Sequence, residues 1–155
     1  MEKNDLPEAF GVFKPVGHIV IAFRSATDQK AAAETLLQQG FAASALLRFT
    51  PEEMKTQVDT DIKTAGALAS LGQELNLVKA HRALAESGCS FLVVHAPDDE
   101  LAEQVAVVAR TMKAVVAQRY GRFIIEELVE QPGEEQVFES PARGLDIKEP
   151  DAPQR

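Results

Sequence analysis

A mixed α/β domain made of two similar halves is the fold that this sequence predicts, and three observations carry that reading. Two short, apolar, β-branched runs, His18–Phe23 and Ser90–His95, have the composition of buried strands. Each is followed by a helical pattern and then by a second strand-like run. A shift of 72 residues (18 to 90) lays one half on the other and sets Gln29, Ala33 and Leu36 on Leu101, Val105 and Val108.

The elements follow in order. After the first strand, Ser25, Thr27 and Asp28 offer side-chain acceptors to the free amides of a helix start. That helix is expected to run to about Gln39, with Ala32, Ala33, Leu36 and Leu37 as its apolar face and Gly40 at its end. Phe41 to Phe49 reads as the second strand. Thr50-Pro51-Glu52-Glu53 is then a helix start with three signals: a capping threonine, proline at the first helical position and a glutamate that completes a capping box. Met54, Val58 and Ile62, and later Leu71, Leu75 and Val78, recur at helical spacing, so residues 51–87 read as two or three helices inserted between the halves. The third strand, Ser90–His95, leads through Pro97, Asp98 and Asp99 into a helix whose buried face is Leu101, Val105, Val108 and Met112. Ala114 to Tyr120 returns as a strand, and Phe123 to Val129 fits either a strand or a short helix.

Two βαβ halves of this kind fit a ferredoxin-like sheet of about four strands, in which the first strands of the halves lie side by side at the centre. A doubly wound parallel sheet is the competing arrangement, and it normally has more strands. The central strands are expected to run parallel. Both of their faces are apolar, so the face that the two crossover helices leave open must be covered by residues 51–87 or by a second subunit. A homo-oligomer is expected on that ground. Residues 1–17 read as an N-terminal extension, 18–130 as the single domain, and 131–155, rich in Pro and Glu, as a flexible tail with small apolar islands at Val137-Phe138 and Leu145-Asp146-Ile147.

Phe23-Arg24-Ser25 ahead of a helix, Gln39-Gly40-Phe41, the small-residue run from Ala65 to Gly72, and Phe91-Leu92-Val93-Val94-His95-Ala96 together resemble the bacterial general stress (heat-induced stress) protein domain. The resemblance spans roughly Gly17 to Tyr120 and consists of apolar pattern and glycine placement. It implies a fold and a stress-related role, and no catalytic residues.

Composition narrows the classes. The chain of 155 residues carries a formal net charge of −8, which opposes binding to phosphate backbones and to anionic membranes. Cys89 is the single cysteine, so an intrachain disulfide and a cysteine-rich zinc site are excluded. No apolar stretch has the roughly 20 residues needed to span a bilayer, and the first residues do not form a secretory leader. A reducing, cytoplasmic home without membrane or nucleic-acid partners is expected, with no cofactor and no metal.

Four groups of residues have chemistry to offer. Parallel central strands place Cys89 and Ser90 beside His18, with Tyr120, Arg119 and Arg122 nearby; His18, Cys89, Tyr120 and Arg122 are therefore the candidate catalytic set, a thiol activated by an imidazole and a cation. The same register holds His18 and His95 about 17 Å apart, too far to share a metal. At the other end, His95, Asp98 and Asp99 form a candidate ligand-binding set around two helix N-termini, where helix capping is the plainer reading. Glu52, Glu53, Asp59, Asp61, Glu74, His81 and Glu86 read as a solvated face of the insertion, since no Glu-x-x-His pair is present for a di-iron site. Arg119-Tyr120-Gly121-Arg122-Phe123 mixes bases and aromatics like an RNA-binding strand, but without a second aromatic platform. Phosphate-binding, dinucleotide-binding and nucleophile-elbow motifs are absent. The expected function is that of a non-enzymatic stress-related or accessory protein; the alternative is a small enzyme or ligand-binding domain with a pocket between sheet and insertion.

Overall fold

The computed structural model describes residues 8–9, 12–13, 15–65, 73–122 and 124–129. The tail at 131–155 and most of the N-terminal extension lie outside the described residues. Two two-residue strands, β1 (Glu8–Ala9) and β2 (Val12–Phe13), pair with each other. The domain then runs β3 (His18–Phe23), α1 (Ala26–Gln38), a 3₁₀ turn (Ala43–Ala45), β4 (Leu46–Phe49), α2 (Pro51–Ala65), α3 (Gln73–Glu86), β5 (Ser90–His95), α4 (Asp99–Thr111), β6 (Val116–Tyr120) and β7 (Ile125–Glu127). The ambiguous segment after Tyr120 is thus a strand. The strand expected over Phe41 to Phe49 is shorter, because Ala43–Ala45 coil first.

Local chemistry sets the helix ends. Ser25 accepts the Asp28 amide at the start of α1, and Asp98 accepts the Leu101 amide at the start of α4. Thr50 and Glu53 exchange hydrogen bonds at 3.0 Å in both directions, so the capping box forms as its four residues imply. Helices α1, α3 and α4 end alike. The chain turns into the left-handed region at Gly40, Gly88 and Lys113, and the next amide reaches back five residues: Phe41 to Leu36, Cys89 to Leu84 and Ala114 to Ala109. Lys113 meets this requirement at φ 58° without the freedom of a glycine.

The five strands form one antiparallel sheet in the order β4-β5-β3-β6-β7. The central pair, β3 and β5, is antiparallel, with His18 opposite His95 and Phe23 opposite Ser90. This corrects the expectation of parallel central strands. The physical reason lies in the insertion. Helices α2 and α3 pack on each other as a hairpin, joined by the Arg82–Asp59 ion pair at 2.6 Å. A two-helix excursion returns the chain to the end of the sheet from which it left. β5 therefore starts where β4 stopped and runs back beside it. α1 joins β3 to β4 across β5, and α4 joins β5 to β6 across β3, so each crossover spans one intervening strand.

Alternation along the strands makes two cores. Ile19, Ile21, Phe23, Leu92 and Val94 face α1 and α4, against Leu36, Val105 and Val108. Val20, Ala22, Phe91 and Val93 face the other way, against Met54 and Val58 of α2 and Val78 and Ala85 of α3. The inserted hairpin therefore covers the second face of the sheet, and a second subunit is not needed for that purpose. Each large side chain so buried contributes about 1.5–3 kcal/mol.

One polar residue ties the first helix to the sheet. Gln29, 3% exposed, donates from Nε2 to the carbonyls of both Phe49 and Phe91, while its Oε1 accepts from Arg48 Nε at 2.8 Å. It joins α1 to the neighbouring strands β4 and β5 where their ladder ends. Gln29→Ala is expected to lower stability by about 2 kcal/mol, since a buried carbonyl left without its donor costs about 1–3 kcal/mol. A urea midpoint unchanged from the parent would contradict this role.

Candidate functional site

The antiparallel register redistributes every candidate. His18 and His95 are direct cross-strand partners, with ring centroids 4.8 Å apart and planes tilted by 41°. The expected separation of about 17 Å is overturned. β6 also pairs with β3, with Ile19 opposite Arg119, so Tyr120 ends its strand at the His18 end, where its carbonyl accepts the Gly17 amide at 2.9 Å. Arg122 follows β6 at that same end and is exposed. Cys89 does not belong with them. It precedes Ser90, which pairs with Phe23 at the far end, roughly 20 Å along β5 from His95. It is buried, with Ser87 Oγ 3.8 Å from its sulfur. The structure thus gathers His18, Tyr120 and Arg122 loosely at one end and separates the thiol from all three.

The second candidate set is also divided. α1 begins at the Cys89 end and α4 at the His95 end, so Ser25, Thr27 and Asp28 are remote from His95, Asp98 and Asp99. Asp98 caps α4. Asp99 forms a 2.9 Å ion pair with Arg119, which also lies 3.9 Å from Glu126. Both carboxylates therefore already have structural partners.

At the His18 end the electrostatics favour a neutral His18 imidazole. His18 Nδ1 lies 3.0 Å from the Val16 carbonyl, which can only accept, so Nδ1 carries the proton. Burial holds the His18 pKa below its ordinary value. The Val16 carbonyl opposes that shift, and the neighbouring His95 adds to it. His95 itself is exposed and borders a cleft of about 330 Å³ with Gln39, Phe41, Pro97, Leu101 and Gln104. A second hollow of about 280 Å³ lies between α1 and β4, lined by Lys30, Glu34, Leu37, Leu46 and Arg48. Neither cleft involves the described part of the inserted helices: the first lies between the turn after α1 and the start of α4, the second between α1 and β4.

His81 is the residue that reading by charge misplaced. Grouped above with a solvated face, it is 1% exposed between α3 and the sheet, edge-on to Phe91. The signal was present in the spacing, because Val78, His81 and Ala85 fall on one helical stripe. Its Nε2 is 2.8 Å from Gln118 Oε1, and Gln118 Nε2 donates to Glu127 Oε1 at 3.0 Å. The carboxylate, acceptor only, orients the amide, and the amide in turn makes Nε2 the protonated nitrogen of His81. Nδ1 keeps its lone pair without a partner among the described residues. Burial lowers the His81 pKa, opposed by the bond to Gln118. Among the described residues no three metal-ligating side chains cluster, and no helix is long and apolar enough to cross a membrane.

His18 and His81 both bind protons less readily folded than unfolded, where their ordinary pKa is 6.5. Their contribution is therefore neutral above that value and turns destabilising as pH falls below it, down to the folded pKa values. Urea midpoints are expected to drop between pH 7.5 and pH 5, and His81→Gln, which keeps a donor for Gln118, is expected to flatten the drop. An equal drop in the variant would remove His81 from the account. Comparison of the chain with protein-family models, curated proteins and solved structures finds no match.

Proposed function

We propose that this chain is a non-enzymatic accessory protein, of the stress-related kind that its apolar pattern resembles, acting through association with a second copy. The observation that carries the reading is the distance between Cys89 and His18: the thiol lies at the opposite end of the sheet from that imidazole and from Tyr120 and Arg122. A thiol without a base is a weak nucleophile at neutral pH. The buried polar groups serve the fold instead, Gln29 on two strand carbonyls and Gln118 between His81 and Glu127.

The same proposal takes β3 to β6 with α1 and α4 as a duplicated ferredoxin-like unit, with β7 added at one edge and the hairpin α2–α3 inserted between the halves. The strand order and the two one-strand crossovers support it. Self-association is assigned to the β7 edge, a three-residue strand with Ile124 beside it, 68% exposed. Among the described residues β7 is an edge strand, and an edge next to an exposed apolar side chain is a template for pairing with another chain.

Light scattering on the full chain is expected to give a dimer at micromolar concentration and a monomer for Ile124→Lys, which sets a charge at that edge. A monomer at near-millimolar concentration would overturn the association. Thiol labelling addresses the other half of the proposal: Cys89 is expected to react only as fast as the fold opens, and rapid labelling of the folded protein would favour an enzyme.

The cleft beside His95 favours a second reading, a ligand-binding domain. Its site then lies between α1 and the start of α4, and not beneath the insertion as the sequence alone places it.

A further inference from the structure

We infer that the hollow between α1 and β4 binds a small monocarboxylate with a short aliphatic tail. The fold itself creates the hollow. Among the described residues β4 is an edge strand, while α1 packs over its neighbours β5 and β3, so the face of β4 beside the helix is only partly covered. Leu46 and Arg48 pair with Val94 and Leu92, which face α1, and cross-strand partners share a face. From the helix, Lys30, Ala33, Glu34 and Leu37 meet them at helical spacing. Ala33, Leu37 and Leu46 form an apolar wall, and Leu37 is left 43% exposed on it. The volume of about 280 Å³ lies at the low end of ligand pockets and suits a small molecule.

The charges specify the ligand. Arg48 is held in place: its Nε donates to Gln29 Oε1 at 2.8 Å, and Gln29 is itself buried and fixed by the carbonyls of Phe49 and Phe91. That leaves both Nη atoms of the guanidinium for a ligand, and a carboxylate accepts from such a pair through two parallel hydrogen bonds. Among the described residues no carboxylate stands within ion-pair distance of Arg48 or of Lys30. Two such cations beside an apolar wall are the complement of an amphipathic anion, in a chain with 24 acidic residues against 16 basic ones. Glu34 lines the same hollow and limits the ligand's charge, because two cations and one carboxylate leave a single positive charge to be met. A monocarboxylate is thereby favoured over a dicarboxylate or a phosphate. The hollow lies at the edge of the sheet away from β7, so its occupation is independent of the association proposed there.

The test is a titration of the full chain with sodium hexanoate, followed by backbone-amide NMR. Saturable shifts in the millimolar range are expected, centred on Lys30, Leu37, Leu46 and Arg48. Hexanol lacks the charge, acetate lacks the tail and hexanedioate adds a second charge; each is expected to bind at least about 10-fold more weakly. Lys30→Gln and Arg48→Gln are each expected to weaken hexanoate by about 10-fold, the loss of a hydrogen bond to a charged group. Leu37→Asp, at an exposed position that the fold tolerates, is expected to abolish binding, and Ile124→Lys at the other edge to leave it unchanged. Shifts that never saturate or that centre on the cleft beside His95, a competitor that equals hexanoate, or unchanged affinity in Lys30→Gln and Leu37→Asp would overturn the assignment.

Discussion

The antiparallel pairing of β3 with β5 is the constraint on which the rest of the molecule depends. It brings six residues of one strand against six of the other, from His18 with His95 to Phe23 with Ser90. Because it lies at the centre of the sheet, both of its faces must be covered. The α1–α4 pair covers one and the α2–α3 hairpin the other. Its direction follows from the two helices described between β4 and β5, which return the chain to the end of the sheet that it left. With a single helix there, β5 would have entered from the opposite end, and the thiol and the two imidazoles would have exchanged neighbours.

That pairing also decides the chemistry available at each end of the sheet. One end holds two imidazoles in ring contact, the last residue of β6 and the start of α4 with its capping carboxylate. The other holds a buried thiol, the capped start of α1 and the Gln29 contacts to two strand carbonyls. The pairing thus sets His18 against His95 and apart from the thiol.

Three of the buried polar side chains follow one rule. Each is held by a partner on a different element: Gln29 by β4 and β5, His81 by Gln118 of β6, and Gln118 by Glu127 of β7. Such contacts cost little when complete, because the partner replaces water, and they penalise any other register. His81 Nδ1 departs from the rule among the described residues. A buried basic nitrogen held neutral is tolerated at neutral pH and becomes a liability in acid.

Much of the fold was legible in the sequence by itself. Short-range chemistry located the strands His18–Phe23 and Ser90–His95 to the residue, the Thr50–Glu53 capping box, the glycine stop after α1 and the insertion between the halves, since each depends only on neighbours within a few positions. The spacing of Val78, His81 and Ala85 also carried the burial of His81, although its charged neighbours concealed it. Strand direction was decided only by tertiary structure. A run of apolar residues such as Ile-Val-Ile-Ala pairs equally well in either sense, because its side chains alternate the same way whichever direction the neighbour runs. The packing of α2 on α3 broke that symmetry. With it came the meeting of His18 with His95 and the isolation of Cys89, neither of which any local pattern encodes.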